Sequence, residues 1–80
     1  MEPKFKLNIL WLKNELGIAV DQLQSEERIP LTEYFFWPKN DAWDQIRREL
    51  ETKPWISTIE KGNLLNTAAS YMKKWEEQNT

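Results

Sequence analysis

Between Pro30 and Ser57 the chain reads PLTEYFFWPKNDAWDQIRRELETKPWIS, and the two prolines inside this stretch limit what can form there. Pro38 has no amide hydrogen to give to a strand ladder and keeps Trp37 extended, so an apolar strand has to stop at Trp37. Pro54 disfavours helical dihedrals at Lys53, so a helix that starts after Pro38 closes near Thr52. Asp41 is placed to cap that helix, with Asp44 at its third position, which sets two carboxylates at the positive end of the helix dipole. Trp43, Ile46 and Leu50 recur at i, i+3 and i+7 as one stripe for a core. Strand, stop, capped helix and second stop therefore fit into 28 residues that hold three of the five tryptophans.

Upstream, Phe5, Leu7, Ile9 and Trp11 alternate with Lys4, Lys6 and Asn8, the period of two expected of a strand with one buried and one wet face. Both faces turn apolar over residues 10–12. The following KNELG offers turn chemistry, with Asn14 and Gly17 able to take left-handed dihedrals, and Ile18, Ala19 and Val20 return as the second strand of a hairpin. Residues 22–29 are polar and acidic, with no sustained apolar period and no glycine to fix a tight turn, and predict a mobile surface loop. Residues 31–37, LTEYFFW, are mostly β-branched or aromatic and predict a third strand.

Downstream, Ser57 and Glu60 form the capping-box pattern S-x-x-E, so a second helix begins at Thr58. Its apolar stripe is Leu64, Leu65, Ala68, Tyr71, Met72 and Trp75. Gly62 costs such a helix about 1 kcal/mol against alanine, which points to a close approach by a neighbour. The expected fold is one α+β domain over residues 1–80: a small antiparallel three-stranded sheet followed by two helices packed on one face, in the order β-β-β-α-α.

Such a sheet has a second, open face. Tyr34, Phe35, Phe36 and Trp37 are consecutive, so both faces of the third strand are aromatic, and an apolar patch on a small domain marks an interaction site. Tyr34, Phe36 and Trp37 are the candidates for protein contact. Stacking on single-stranded bases uses the same side chains, but it comes with a positively charged track, and this strand offers only Glu33 and, past its end, Lys39. The run is read as core and protein contact.

With no cysteine and no histidine among 80 residues, the chain lacks disulfides, thiolate chemistry and the usual metal ligands, and no metal or cofactor is expected. A small domain of this kind suits a reducing compartment, its core built densely from ten aromatics. No run approaches the roughly 20 apolar residues of a membrane span, and MEPKFKLNIL is too broken by charge for a signal peptide. The expectation is a complete, soluble, intracellular protein.

A net charge of −2 argues against coating nucleic acid by bulk charge, so any anionic partner must be met locally. Lys39, Arg47, Arg48 and Lys53 around the first helix are the candidate RNA-binding set, with Lys73 and Lys74 near by on the second. Against this stands the pairing of Asp44 with Arg48 and of Arg47 with Glu51 at i,i+4 spacing, which leaves an ordinary solvated face. Asp41, Asp44, Glu49 and Glu51 have no nucleophile or glycine-rich loop beside them, and no enzyme is expected.

The segments T-E-Y-F-F-W-P, D-A-W, K-P-W-I-S and L-L-N, in that order, resemble the plastid-specific ribosomal protein three family of the chloroplast and cyanobacterial small ribosomal subunit. The resemblance runs from Ile29 to Asn66, and IAVDQ at residues 18–22 also fits. It implies a structural component of the 30S subunit, in contact with ribosomal RNA and neighbouring ribosomal proteins. It implies further a location on the ribosome in a cyanobacterial-type cytoplasm or chloroplast stroma, with no small-molecule substrate and no membrane, and a monomer outside the ribosome. The residues by themselves leave open a free-standing protein-interaction or regulatory module. Ribosomal proteins are commonly basic and this chain is mildly acidic, which suits a peripheral position.

Overall fold

The computed structural model describes residues 4–79. Strands β1 (Lys4–Trp11), β2 (Leu16–Gln24), β3 (Glu27–Pro30) and β4 (Phe35–Trp37) are followed by helices α1 (Ala42–Glu51) and α2 (Thr58–Gln78). The expected α+β order holds, with four strands where three were expected. β2 is central: β1 pairs along one edge, from Lys4 opposite Leu23 to Trp11 opposite Leu16. Along its other edge β3 and β4 lie end to end, both antiparallel to β2.

The expected loop over residues 22–29 is a tight hairpin, with Gln24 opposite Glu27. Its turn needs a left-handed residue, and Ser25 supplies it with φ 57° in place of the glycine that usually marks such a turn. The expected third strand is accordingly shorter, because residues 31–34 bend away to satisfy β2 differently. The Leu31 and Thr32 amides both donate to the Val20 carbonyl, at 2.9 and 3.3 Å. The Val20 amide in turn donates to Thr32 Oγ1 at 3.0 Å.

Gly17 is not a turn glycine either. It lies inside β2 opposite Phe36, and the β1–β2 turn closes over residues 12–15 with the Leu12 amide donating to the Glu15 carbonyl. What Gly17 provides is room: a Cβ there would lie 3.0 Å from Leu10 Cβ, 3.0 Å from Phe36 Cε1 and 3.3 Å from Tyr34 Cδ1.

Both helix starts form as their sequences dictate. Asp41 accepts from the Asp44 amide and Ser57 from the Glu60 amide, which satisfies one otherwise unpaired donor at each N-terminus. Ser57→Ala is expected to cost about 1 kcal/mol, read as a lower urea midpoint. The close approach expected at Gly62 is absent, since an added Cβ there meets nothing within 4 Å. Gly62→Ala should therefore stabilise the protein by about 0.5 to 1 kcal/mol, and a lower melting temperature would contradict this.

Both helices pack on one face of the sheet, as expected. The core joins Leu16, Ile18 and Val20 of β2 to Ala42, Ile46 and Leu50 of α1, to Ile56, and to Leu64, Ala68, Met72 and Trp75 of α2. Tyr71 leaves the expected stripe and is exposed. The tryptophans do more than fill volume. Trp43 Nε1 donates to the Leu65 carbonyl at 3.1 Å and joins the two helices, while Trp75 Nε1 donates to the Leu12 carbonyl at 3.0 Å and ties α2 to the first hairpin. The Trp37–Pro38 peptide is cis.

Candidate functional site

The cations expected to meet RNA lie on α1 and at its two ends, and the structure pairs most of them. Arg47 Nη2 lies 2.7 Å from Asp44 Oδ1 and Arg47 Nη1 lies 2.6 Å from Glu51 Oε1. Arg48 Nε takes the other Asp44 oxygen at 2.9 Å. The hydrogen bond from Arg47 holds the Asp44 carboxyl below its ordinary range, and Asp44 in turn raises Arg47. Lys53 is buried, and its ammonium donates to the Glu49 carbonyl at 3.1 Å and faces Glu49 Oε2 at 3.4 Å. Lys39 is exposed on the turn between β4 and α1. Around this helix Lys39, Arg47, Arg48 and Lys53 are matched one for one by Asp41, Asp44, Glu49 and Glu51, so the set carries no net positive charge.

The aromatic run divides by the alternation of its strand. Phe35 and Trp37 lie opposite Ile18 and Leu16 and pack against the core, where Trp37 Nε1 donates to Glu76 Oε1 at 3.0 Å. Tyr34 and Phe36 go to the other side, where no helix lies. Their ring centroids are 6.4 Å apart over Gly17, and Tyr34 stays 40% exposed. Of the three residues expected to form a protein contact, Tyr34 and Phe36 are therefore brought together, and Trp37 is on the opposite face. There it borders a groove shared with Pro38, Trp75 and Asn79.

The register fixes what else shares the open face. Opposite pairs in an antiparallel ladder point the same way, so Lys6 and Pro30 lie with Asp21, and Lys4 and Arg28 with Leu23. At the centre Asp21 is buried, accepts a hydrogen bond from Asn8 Nδ2 and lies 3.4 Å from Arg28 Nε. One end of this face is thus aromatic and the other basic. The lysines were legible as the wet positions of the alternation in β1. Arg28 was not, because its strand was read as a loop.

Among the described residues no group of three or more potential ligands could hold a metal ion. The carboxylates weighed as catalytic cap a helix or pair with basic side chains, and the surface that stands out is a sheet face that can dock a partner. The molecule is thus a small α+β domain with one sheet face left open by its helices. The chain belongs to the plastid and cyanobacterial ribosomal protein (PSRP-3 / Ycf65) family, whose model matches residues 31–78. This is a family of ribosomal proteins and not of enzymes.

Relatives extend the match beyond that segment. The probable small ribosomal subunit protein cS23 of Synechococcus sp. (strain JA-2-3B'a(2-13)) is 53% identical over 74 residues, covering 92% of this chain and 75% of its own. Small ribosomal subunit protein cS23 of Gracilaria tenuistipitata var. liui is 48% identical over 75 residues, covering 94% and 76%. Small ribosomal subunit protein cS23y of Arabidopsis thaliana is 38% identical over 76 residues, covering 94% of this chain and 42% of its own.

Proposed function

We propose that this protein is a structural component of the small ribosomal subunit of cyanobacterial or chloroplast type, one that holds ribosomal RNA and neighbouring ribosomal proteins by surface contact and catalyses no reaction. The observation that carries this reading is the 53% identity over 92% of the chain to a cyanobacterial relative of that description. It acts on the ribosome, in the cyanobacterial cytoplasm or the chloroplast stroma, takes no small-molecule substrate and is monomeric away from the subunit. Its acidic balance fits a peripheral seat with few phosphate contacts. Each neutralised phosphate lowers log K by about 0.7 to 0.9 per decade of salt.

A tagged copy recovered from extract should bring down small-subunit RNA and proteins in near-equal amounts. Recovery of neither would leave the free-standing interaction module as the reading. Lys39, Arg47, Arg48 and Lys53 remain the proposed contact set on the α1 side, but Lys53 is buried and carboxylates already answer both arginines. Arg47→Gln with Arg48→Gln is therefore expected to change affinity for the subunit by less than about fivefold, since exposed ion pairs contribute under about 1 kcal/mol. A tenfold loss would establish α1 as the main RNA contact.

A further inference from the structure

We propose that the open face of the sheet, built around Tyr34, Phe36, Lys4, Lys6 and Arg28, binds a single-stranded segment of RNA. The proposal rests on the ribosomal reading and specifies the surface and the form of nucleic acid that it takes.

The first argument is shape and chemistry. No helix among the described residues covers this face, and Tyr34 and Phe36 present tilted rings, 32° between planes, over the one β2 position that has no side chain. Exposed rings on an open sheet stack unpaired bases, each stack contributing about 1 to 3 kcal/mol. Duplex bases are already stacked on one another and offer these rings nothing, so the fitting partner is a loop, a bulge or an end.

The second argument is charge. Stacking surfaces need a cationic track beside them, and β4 alone has none. The sheet supplies it from the neighbouring strands. Across β2 from each other lie Lys4 and Arg28, with Lys6 one pair further on, about 13 to 20 Å from Gly17 along the strand. Asp21 is the one carboxylate on this face among the described strand residues, and it is 3% exposed. Arg28 pairs with it and still leaves 65% of its own side chain in solvent. The strand residues of this face thus carry three cations against one buried acid, with the exposed Glu33 beside Tyr34 at the aromatic end, on a chain whose total is −2. A protein neighbour would be equally served by the aromatic end, but the segregated positive end favours a polyanion.

The test is titration of the isotope-labelled 80-residue protein with a 12-nucleotide single-stranded RNA of mixed sequence, followed by amide chemical shifts. A 12-base-pair RNA duplex is the comparison. Shifts should concentrate on β1, β3 and residues 34–36, with the duplex binding at least tenfold more weakly. Tyr34→Ala should weaken single-strand binding about tenfold without changing its salt slope. Lys4→Gln with Lys6→Gln should reduce the slope of log K against log salt by about 1.4. Both Lys4 and Lys6 sit on a wet face, so this variant keeps the fold, and its unchanged spectrum in the absence of RNA verifies that.

A second readout separates the two proposals. Protein carrying a photoreactive phenylalanine at position 34 is allowed to bind small subunits and is then irradiated. Crosslinks to RNA support the assignment. Crosslinks only to a ribosomal protein, or RNA-induced shifts confined to α1, would overturn it while leaving the protein on the subunit. Failure to bind subunits at all would defeat both.

Discussion

Trp75→Ala is expected to remove about 3 to 5 kcal/mol of stability. Trp75 is only 6% exposed, lies at the junction of α2 with the sheet and donates to the Leu12 carbonyl 63 residues earlier in sequence. Truncation would leave a cavity the size of an indole and loosen the first hairpin from the helix. A domain of this length has roughly 4 to 12 kcal/mol in total, so the loss removes at least about a quarter of its stability. Trp75→Phe keeps most of the apolar volume and loses the donor, and should cost about 1 to 3 kcal/mol. Urea titration followed by circular dichroism reads both as shifts in midpoint. A loss below about 1 kcal/mol for the alanine variant would mean that Trp75 does not hold the hairpin to the helix.

Gly17→Ala should destabilise by about 1 to 3 kcal/mol, the opposite sign to the same change at Gly62. The contrast isolates space from propensity. A glycine in the middle of a strand or a helix is intrinsically unfavourable, so alanine gains at both positions before packing is counted. At Gly62 nothing opposes that gain. At Gly17 the new methyl would lie 3.0 Å from Leu10 Cβ, an atom fixed by the β1 backbone directly opposite, and against both rings of the open face. Leu10 cannot withdraw without moving β1, so Tyr34 and Phe36 have to lift. Gly17→Val enlarges the collision and should exceed about 3 kcal/mol. The same displacement would weaken single-stranded RNA binding to a degree comparable with Tyr34→Ala. Equal stabilisation by alanine at both glycines would contradict the placement of these rings.

The parts of the fold that were legible in the sequence are those whose causes are local. Pro38 and Pro54 bound α1, Asp41 and Ser57 mark the helix starts, and the alternation in β1 declares its buried and wet faces. Each of these works through neighbours within four residues. The β2–β3 hairpin was not legible because its turn uses a serine at φ 57°, where the readable signal would be glycine or asparagine. Gly17 was misread for the converse reason: a glycine beside turn-forming residues looks like part of the turn, and only the register shows Phe36 above it.

The candidate surfaces divide in the same way. The pairing of Arg47 and Arg48 with Asp44 and Glu51 follows from i,i+3 and i,i+4 spacing and could be read directly. Of the open face only its existence and its aromatic residues could be read, because the rest is assembled from alternate residues of separate strands. Its basic end comes from β1 and a strand read as loop, and its aromatic end from β4. The missing positive track that argued against base stacking lay on neighbouring strands.

A sucrose gradient of native extract, probed for this protein at low and then at high salt, decides most directly whether it is a peripheral ribosomal component. Co-migration with the small subunit at low salt and release at high salt is the result expected if, as proposed, the protein is held by a few phosphate contacts. A protein that stays at the top of the gradient at low salt would contradict the ribosomal assignment itself.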